Sequence, residues 1–133
     1  MRNKRPLKNY TKKLLRKAEI ICEKEMKLAV RRRAENKCEV CGSTYMLQVD
    51  HWLSRGNSAT YFSVNNLTLL CSTCHGHKTF DHADGREEVT DVVRMREGKQ
   101  VMDELRAQSR TIKKWQPDEL LELAETYKKL WNQ

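Results

Sequence analysis

Two Cys-x₂-Cys knuckles thirty positions apart, short period-two segments between them and helical periodicity on both sides predict an α+β fold. Its plan is a small zinc-stapled centre flanked by a basic N-terminal helix and by C-terminal helices. The knuckles are Cys38-Glu39-Val40-Cys41 and Cys71-Ser72-Thr73-Cys74. Four thiolates at that spacing close a tetrahedral Zn²⁺ site and let the chain between them bulge out as a long excursion. The chain divides accordingly into a basic helix over 1–36, the stapled centre over 37–82 and a helical region over 83–133. With 133 residues of which 38% are hydrophobic, the core is modest, and a metal staple contributes to stability as well as to shape.

Charge sets the first segment apart. Met1 to Lys37 carries 14 Lys and Arg against 4 acids, whereas the rest of the chain is slightly acidic, so the net +8 resides at the N-terminal end. From about Thr11 to Arg33, Leu14, Ala18, Ile21, Cys22, Ala29 and Val30 recur at three- and four-residue steps with basic residues between them, the pattern of an amphipathic helix. Its basic face, ending in Arg31, Arg32 and Arg33, suits a phosphate backbone, where neutralised phosphates release counterions and give sequence-indifferent affinity. Cys22 falls on the apolar stripe and reads as a small buried side chain.

The centre reads as strand, loop, strand, helix. Leu47 to Trp52 alternates with period two after the Gly42-Ser43 turn, and Leu67 to Leu70 is the returning strand. Leu53 to Asn65 is a long Ser-, Asn- and Gly-bearing loop, a length that inside a small domain usually serves function. Cys74 to Phe80 opens a helix that puts His75, Lys78 and Thr79 on one face.

The C-terminal third is helical. Val89, Val92 and Val93 form one apolar stripe and Val101, Met102 and Leu105 another, with Gly98 as the break between them. Pro117-Asp118-Glu119 starts a further helix, continued by Leu120, Leu121, Ala124, Tyr127, Leu130 and Trp131. Core packing accounts for these residues and for Trp115. The two stripes offer more apolar surface than so small a centre needs, which leads to the expectation of a homodimer built on the C-terminal helices.

No apolar run resembles a signal peptide or a membrane span, and paired Cys-x₂-Cys motifs in a basic chain fit a reducing cytosol, where they bind metal more often than they form disulfides. A cytoplasmic location with no membrane partner is therefore expected.

Within the excursion lie the groups that carry chemistry. Hydrolysis of a phosphodiester needs a base to deprotonate water and a cation to neutralise the phosphate oxygens and the departing O3′. Adjacent Asp50 and His51 on a strand point to opposite sides, so one is free to bind metal while the other faces water. His75, folded back beside Asp50, completes an open site of one carboxylate and one imidazole, and Asn66 is positioned to bond backbone across the loop. Two protein ligands leave positions for water and phosphate, which suits Mg²⁺ or Mn²⁺.

The string Val49-Asp50-His51, Asn66-Leu67-Thr68-Leu69-Leu70-Cys71-Ser72-Thr73-Cys74-His75-Gly76-His77-Lys78-Thr79 resembles the zinc-containing branch of the HNH nucleases, a ββα-metal fold. That resemblance implies that His51 is the general base, that Asp50 and His75 hold the catalytic metal, that Asn66 is the structural middle residue, and that Cys38, Cys41, Cys71 and Cys74 bind zinc. It implies DNA as the partner, with Lys78 at a basic position that contacts phosphate. His77, two positions from His75 and off its face, reads as a phosphate contact or a partner for a zinc-site group, and Arg55 of the loop and the arginines of the basic helix are further DNA contacts. His82 is expected at the surface.

A narrower resemblance adds the C-terminal part. The basic helix, the end of the nuclease motif and the Lys114-Trp115-Gln116-Pro117-Asp118-Glu119-Leu120 step are similar to the phage NinG, or Rap, recombination nucleases. This implies structure-selective cleavage of branched DNA, such as Holliday junctions and D-loops, in a bacterial or phage-infected cell. The alternatives are an HNH nickase without branch selectivity and a zinc module that binds DNA without cutting it. The presence of Asp50, His51 and His75 together favours an enzyme.

Overall fold

The computed structural model describes residues 4–80 and 83–132. Five helices surround a two-stranded antiparallel sheet, an α+β arrangement with the four knuckle cysteines gathered at its centre. Helix α1 spans Lys4–Arg33. Its buried stripe runs Ala18, Cys22, Met26, Ala29 and Val30, with Leu15 partly covered. Leu14 and Ile21, expected on that stripe, are 40% and 42% exposed. They lie to one side of the line through Ala18, Cys22 and Met26, so their Cβ atoms point outward.

After α1 the chain reverses through Glu35 and Asn36, both at φ 54. The Asn36 amide donates to the Arg31 carbonyl at 3.0 Å, closing the helix end. The first knuckle follows. The Cys38 amide donates to Ser43 O and the Gly42 amide to Cys38 O, both at 2.8 Å, and Gly42 sits at φ 80, where a side chain would strain the turn. The Glu39 amide ties the knuckle to Leu69 O at 2.8 Å.

Strand β1 is Gln48–His51 and β2 is Leu67–Leu70, paired so that Asp50 faces Thr68 and His51 faces Leu67. All four β2 residues are buried. Leu67 and Leu69 pack into the core shared with α1, while Leu70 joins Cys38, Cys71 and Val89 in a second cluster around the knuckles. A 3₁₀ turn, Val64–Asn66, ends the loop and leads straight into β2.

Helix α2 is Ser72–Phe80, α3 is Ala83–Glu97, α4 is Lys99–Ser109 and α5 is Pro117–Lys129. Gly98, at φ 88, separates α3 from α4. Glu119 accepts from the Gln116 amide at 3.0 Å, capping α5 behind its leading proline. At Gly85 α3 runs so close to α2 that a Cβ would lie well inside van der Waals contact with the His77 carbonyl oxygen and, at 2.6 Å, with the Lys78 amide nitrogen.

The apolar stripes of the C-terminal helices are for the most part covered within the chain. Leu120, Ala124 and Tyr127 pack on α1, Val89 packs on the knuckles, and Val93, Met102 and Leu105 are likewise buried. Much of the surface from which a homodimer was expected is therefore used inside the chain, while Leu121 stays 43% exposed. Trp131, expected in the core, is 42% exposed and lies against the Arg33 guanidinium at 5.6 Å.

A buried ion-pair network joins the layers. Glu39 accepts from Arg33 Nη2 at 2.7 Å, from the Leu69 amide at 2.9 Å and from Arg96 Nη1 at 2.8 Å. Arg96 also donates to Asn65 O at 3.1 Å. One carboxylate thus fastens α1, β2 and α3 to the end of the loop.

Candidate active site and zinc centre

The Sγ atoms of Cys38, Cys41, Cys71 and Cys74 all lie within 4.8 Å of one another, and Cys41 and Cys71 are 3.6 Å apart. Tetrahedral zinc with Zn–S bonds of about 2.3 Å separates its sulfurs by about 3.8 Å, so this donor set fits one Zn²⁺. The local electrostatics favour a thiolate at Cys38. Burial raises its pKa, but hydrogen bonds from the backbone of Cys41, Cys71 and Val40 outweigh that and bring it down to about 7. Cys74, half-buried beside the other sulfurs, is pushed well above the usual thiol range, first by desolvation. Cys22 is far simpler, a buried thiol on α1 raised to about 12, first by burial and then by Glu23.

Along β1 the two chemical side chains diverge. His51 faces the loop, where its Nε2 lies 3.0 Å from Tyr61 O and its ring stacks on the Tyr61 ring at 4.7 Å. A carbonyl only accepts, so Nε2 carries the proton and Nδ1 keeps its lone pair. Burial is the main cause that lowers the His51 pKa, opposed by the Tyr61 carbonyl, so the imidazole is held neutral.

Asp50 faces α2. Its Oδ1 is 3.5 Å from His75 Nε2, and Lys78 Nζ donates to its Oδ2 and, at 2.8 Å, to His51 O. The expected helical face of His75 and Lys78 therefore meets Asp50 as a unit. A carboxylate oxygen and an imidazole nitrogen at this separation can bracket a hard divalent cation, whose ligands about 2.1 Å away lie roughly 3 Å apart when adjacent.

Asn66, fully buried, clamps the loop back onto the sheet. Its Oδ1 accepts from the Leu53 amide at 2.7 Å, its Nδ2 donates to Leu53 O at 3.2 Å and Thr60 O at 3.3 Å, and its carbonyl accepts from Trp52 N at 2.7 Å. These bonds fix the segment that presents the Tyr61 carbonyl to His51.

The three arginines expected to face DNA turn inward instead. Arg31 donates to Leu47 O at 3.3 Å, Arg32 to Tyr127 O at 2.6 Å and Leu130 O at 3.0 Å, and Arg33 to Val64 O at 2.8 Å and Leu67 O at 2.7 Å. Only 9% of the Arg33 side chain is exposed. A planar five-donor guanidinium caps several orphan carbonyls at once, and the end of α5, the loop and β2 supply them. Arg55 is exposed in the loop, His77 is half-buried on α2, and His82 lies outside the described residues.

Sequence reasoning missed Tyr61. It acts through its backbone carbonyl and ring face, and neither leaves a mark in the sequence. The Lys78–Asp50 pair was also missed, although Lys78 shares a helical face with His75, which was itself expected beside Asp50.

Residues 38–81 match the family model described as HNH endonuclease. No curated protein and no solved structure matches the chain. The match spans the knuckles, both strands and α2, and with the four-cysteine cluster it fits an HNH zinc site and supports a nuclease with DNA as substrate. Among the described residues no helix is long and apolar enough to cross a membrane.

Proposed function

We propose that this chain is a metal-dependent DNA endonuclease in which His51 is the general base. The observation that carries this reading is the His51 tautomer: an Nε2–H bonded to Tyr61 O leaves the Nδ1 lone pair to act as the base. In this reading Nδ1 takes the proton from the attacking water, and burial keeps it neutral and ready near pH 7. Asp50 and His75 hold Mg²⁺ or Mn²⁺, which when bound neutralises charge on the phosphate and on the departing O3′. Asn66 holds the loop, Lys78 and His77 face phosphate, and zinc on Cys38, Cys41, Cys71 and Cys74 staples the centre. A supercoiled-plasmid nicking assay with Mg²⁺ or Mn²⁺ tests it. The intact chain should nick, and no conversion with either ion would overturn the reading.

The finer part of the proposal is selectivity for branched recombination intermediates in a bacterial or phage-infected cytoplasm, supported by the sequence resemblance to the NinG and Rap nucleases. Two opposed cuts in a four-way junction require two copies of a one-site enzyme, so a homodimer has to form at least on the junction. Sedimentation with and without junction DNA, alongside cleavage rates on junction and linear duplex, tests both; equal rates would leave a nickase without branch selectivity. One observation favours a second reading, a zinc module that binds DNA without cutting it. Lys78 occupies the Asp50 carboxylate that a cation would need. Mn²⁺ titration of wild type against Asp50→Asn distinguishes the two, since only the enzyme reading predicts a site that the substitution removes.

A further inference from the structure

Beside the β1 site a cavity of about 570 Å³ opens between α1, the loop after β1 and the segment leading into α5. Its walls have two characters. Tyr61 and Trp115 supply aromatic faces, and Arg16, Arg55, Lys113 and Lys114 supply positive charge. Two acids, Glu19 and Glu23, share the lining. Glu23 is engaged by Lys27 at 3.0 Å and also faces Tyr61 and Arg55, Lys113 is engaged by Glu119 at 2.6 Å, and Arg16, Arg55 and Lys114 are exposed at the mouth.

Trp115 is held in place from behind. Its Nε1 donates to Ser58 O at 2.9 Å and its ring meets Phe62 edge-on at 5.6 Å. The Lys113 amide donates to Ser58 Oγ at 2.9 Å, so the same loop that carries Arg55 fixes the segment that carries Lys114. Tyr61 forms the wall between this cavity and His51.

Rigid aromatic faces rimmed by cations are the chemistry that holds a nucleobase and its phosphate. The volume suits one or two nucleotides and excludes a duplex, whose bases are stacked and paired. We propose that this cavity is a subsite for an unpaired nucleotide of a DNA strand, one Tyr61 ring away from the bond being cut. The inference rests on the reading of the chain as a DNA endonuclease. It supplies a physical reason for branch selectivity, because a branch point or flap offers unpaired nucleotides and a linear duplex does not.

The test is hexathymidylate binding to the full zinc-loaded chain with no added Mg²⁺ or Mn²⁺. Two readouts are used: anisotropy of the labelled oligonucleotide on wild type, and fluorescence of the W52F/W131F variant, in which Trp115 alone reports. The expected result is quenching of Trp115, with affinity at least tenfold above that for a blunt hairpin duplex of equal phosphate count. Arg55→Ala with Lys114→Ala, both exposed, should weaken binding at least tenfold with unchanged circular dichroism. Equal affinity for the duplex, equal quenching by thymidine monophosphate, or wild-type binding by the double variant would overturn the subsite. Plasmid nicking without any oligonucleotide response would remove the subsite and leave the nuclease reading standing. Oligonucleotide binding with quenching, and no cleavage of any DNA, would keep the subsite and remove the nuclease reading.

Discussion

His51 shows how a backbone carbonyl can decide the chemistry of a side chain. Because Tyr61 O accepts from Nε2, the imidazole cannot turn over without orphaning a buried donor, and the basic nitrogen always points the same way. His51→Ala should then lower the nicking rate by about 10²-fold or more, in the range of lost general-base catalysis, while DNA affinity stays within a few fold. Steady-state nicking alongside anisotropy binding checks this. Asn66 is a positioning residue for the same bond. Asn66→Ala orphans the Leu53 amide and the Leu53 and Thr60 carbonyls, each buried polar group costing about 1–3 kcal/mol, and should shift the urea midpoint down clearly. At this scale the sequence was informative where a side chain acts by its own identity. The gathering of the four cysteines was legible because thiolate pairs at that spacing announce metal chemistry, and the meeting of Asp50 with His75 because a carboxylate and an imidazole do. The inward turn of Arg31 and Arg32 was not legible because their partners are carbonyls 16 to 98 residues away, invisible to any local pattern.

Among the elements, α1 and α5 form the longest seam. Tyr127 donates its hydroxyl to Phe62 O from within that seam, and Cys22 lies in the same cluster. Both ionise less readily folded than unfolded, Tyr127 chiefly through burial and then through Cys22, and Cys22 chiefly through burial. Their contribution is therefore full below the unfolded values of 9.0 and 10.0 and is lost as pH rises through the folded ones. Chemical denaturation from pH 8 to 11 should show stability falling, and Tyr127→Phe should flatten the fall while costing about 1 kcal/mol at neutral pH for the lost hydrogen bond. The Glu39 network predicts a larger effect. Glu39→Ala leaves Arg33 and Arg96 facing each other in a mostly buried setting, and breaking such a pair costs about 3–5 kcal/mol, measurable as a loss of denaturant midpoint. Helix boundaries were legible where punctuation was strong, at Gly98 and Pro117, and the returning strand Leu67–Leu70 matched its apolar run. The first strand came out shorter than Leu47 to Trp52, because only four residues find partners on β2.

Over the whole molecule, two cores divide the labour. The larger, between α1, α5 and the sheet, contains none of the four knuckle cysteines, whereas the smaller gathers Cys38, Cys71, Leu70 and Val89 around the knuckles. Structural zinc contributes on the order of 10 kcal/mol of binding energy coupled to folding, so its removal should act on the smaller core first. A strong chelator, or Cys38→Ser, should abolish amide protection in α2 and the knuckles while α1 and α5 retain theirs, as read by hydrogen exchange. Elemental analysis should return one zinc per chain, and an intact centre without zinc would contradict this. The α+β plan was legible from spacing and period alone. What covers the C-terminal stripes was not, because periodicity reports that a face is apolar and is silent about its partner.

The contact at Gly85 turns a missing atom into a ruler. With no Cβ there, the α3 backbone rests directly on the His77 carbonyl and the Lys78 amide, and that distance sets the pose of the helix carrying His75 and Lys78 toward Asp50. A methyl group would pry the two helices apart at a spot with no titratable atom of its own. In a random-mutagenesis screen scored by nicking, Gly85→Ala should therefore surface among the inactive clones beside His51, although it would bear no mark of chemistry to anyone reading the list of hits.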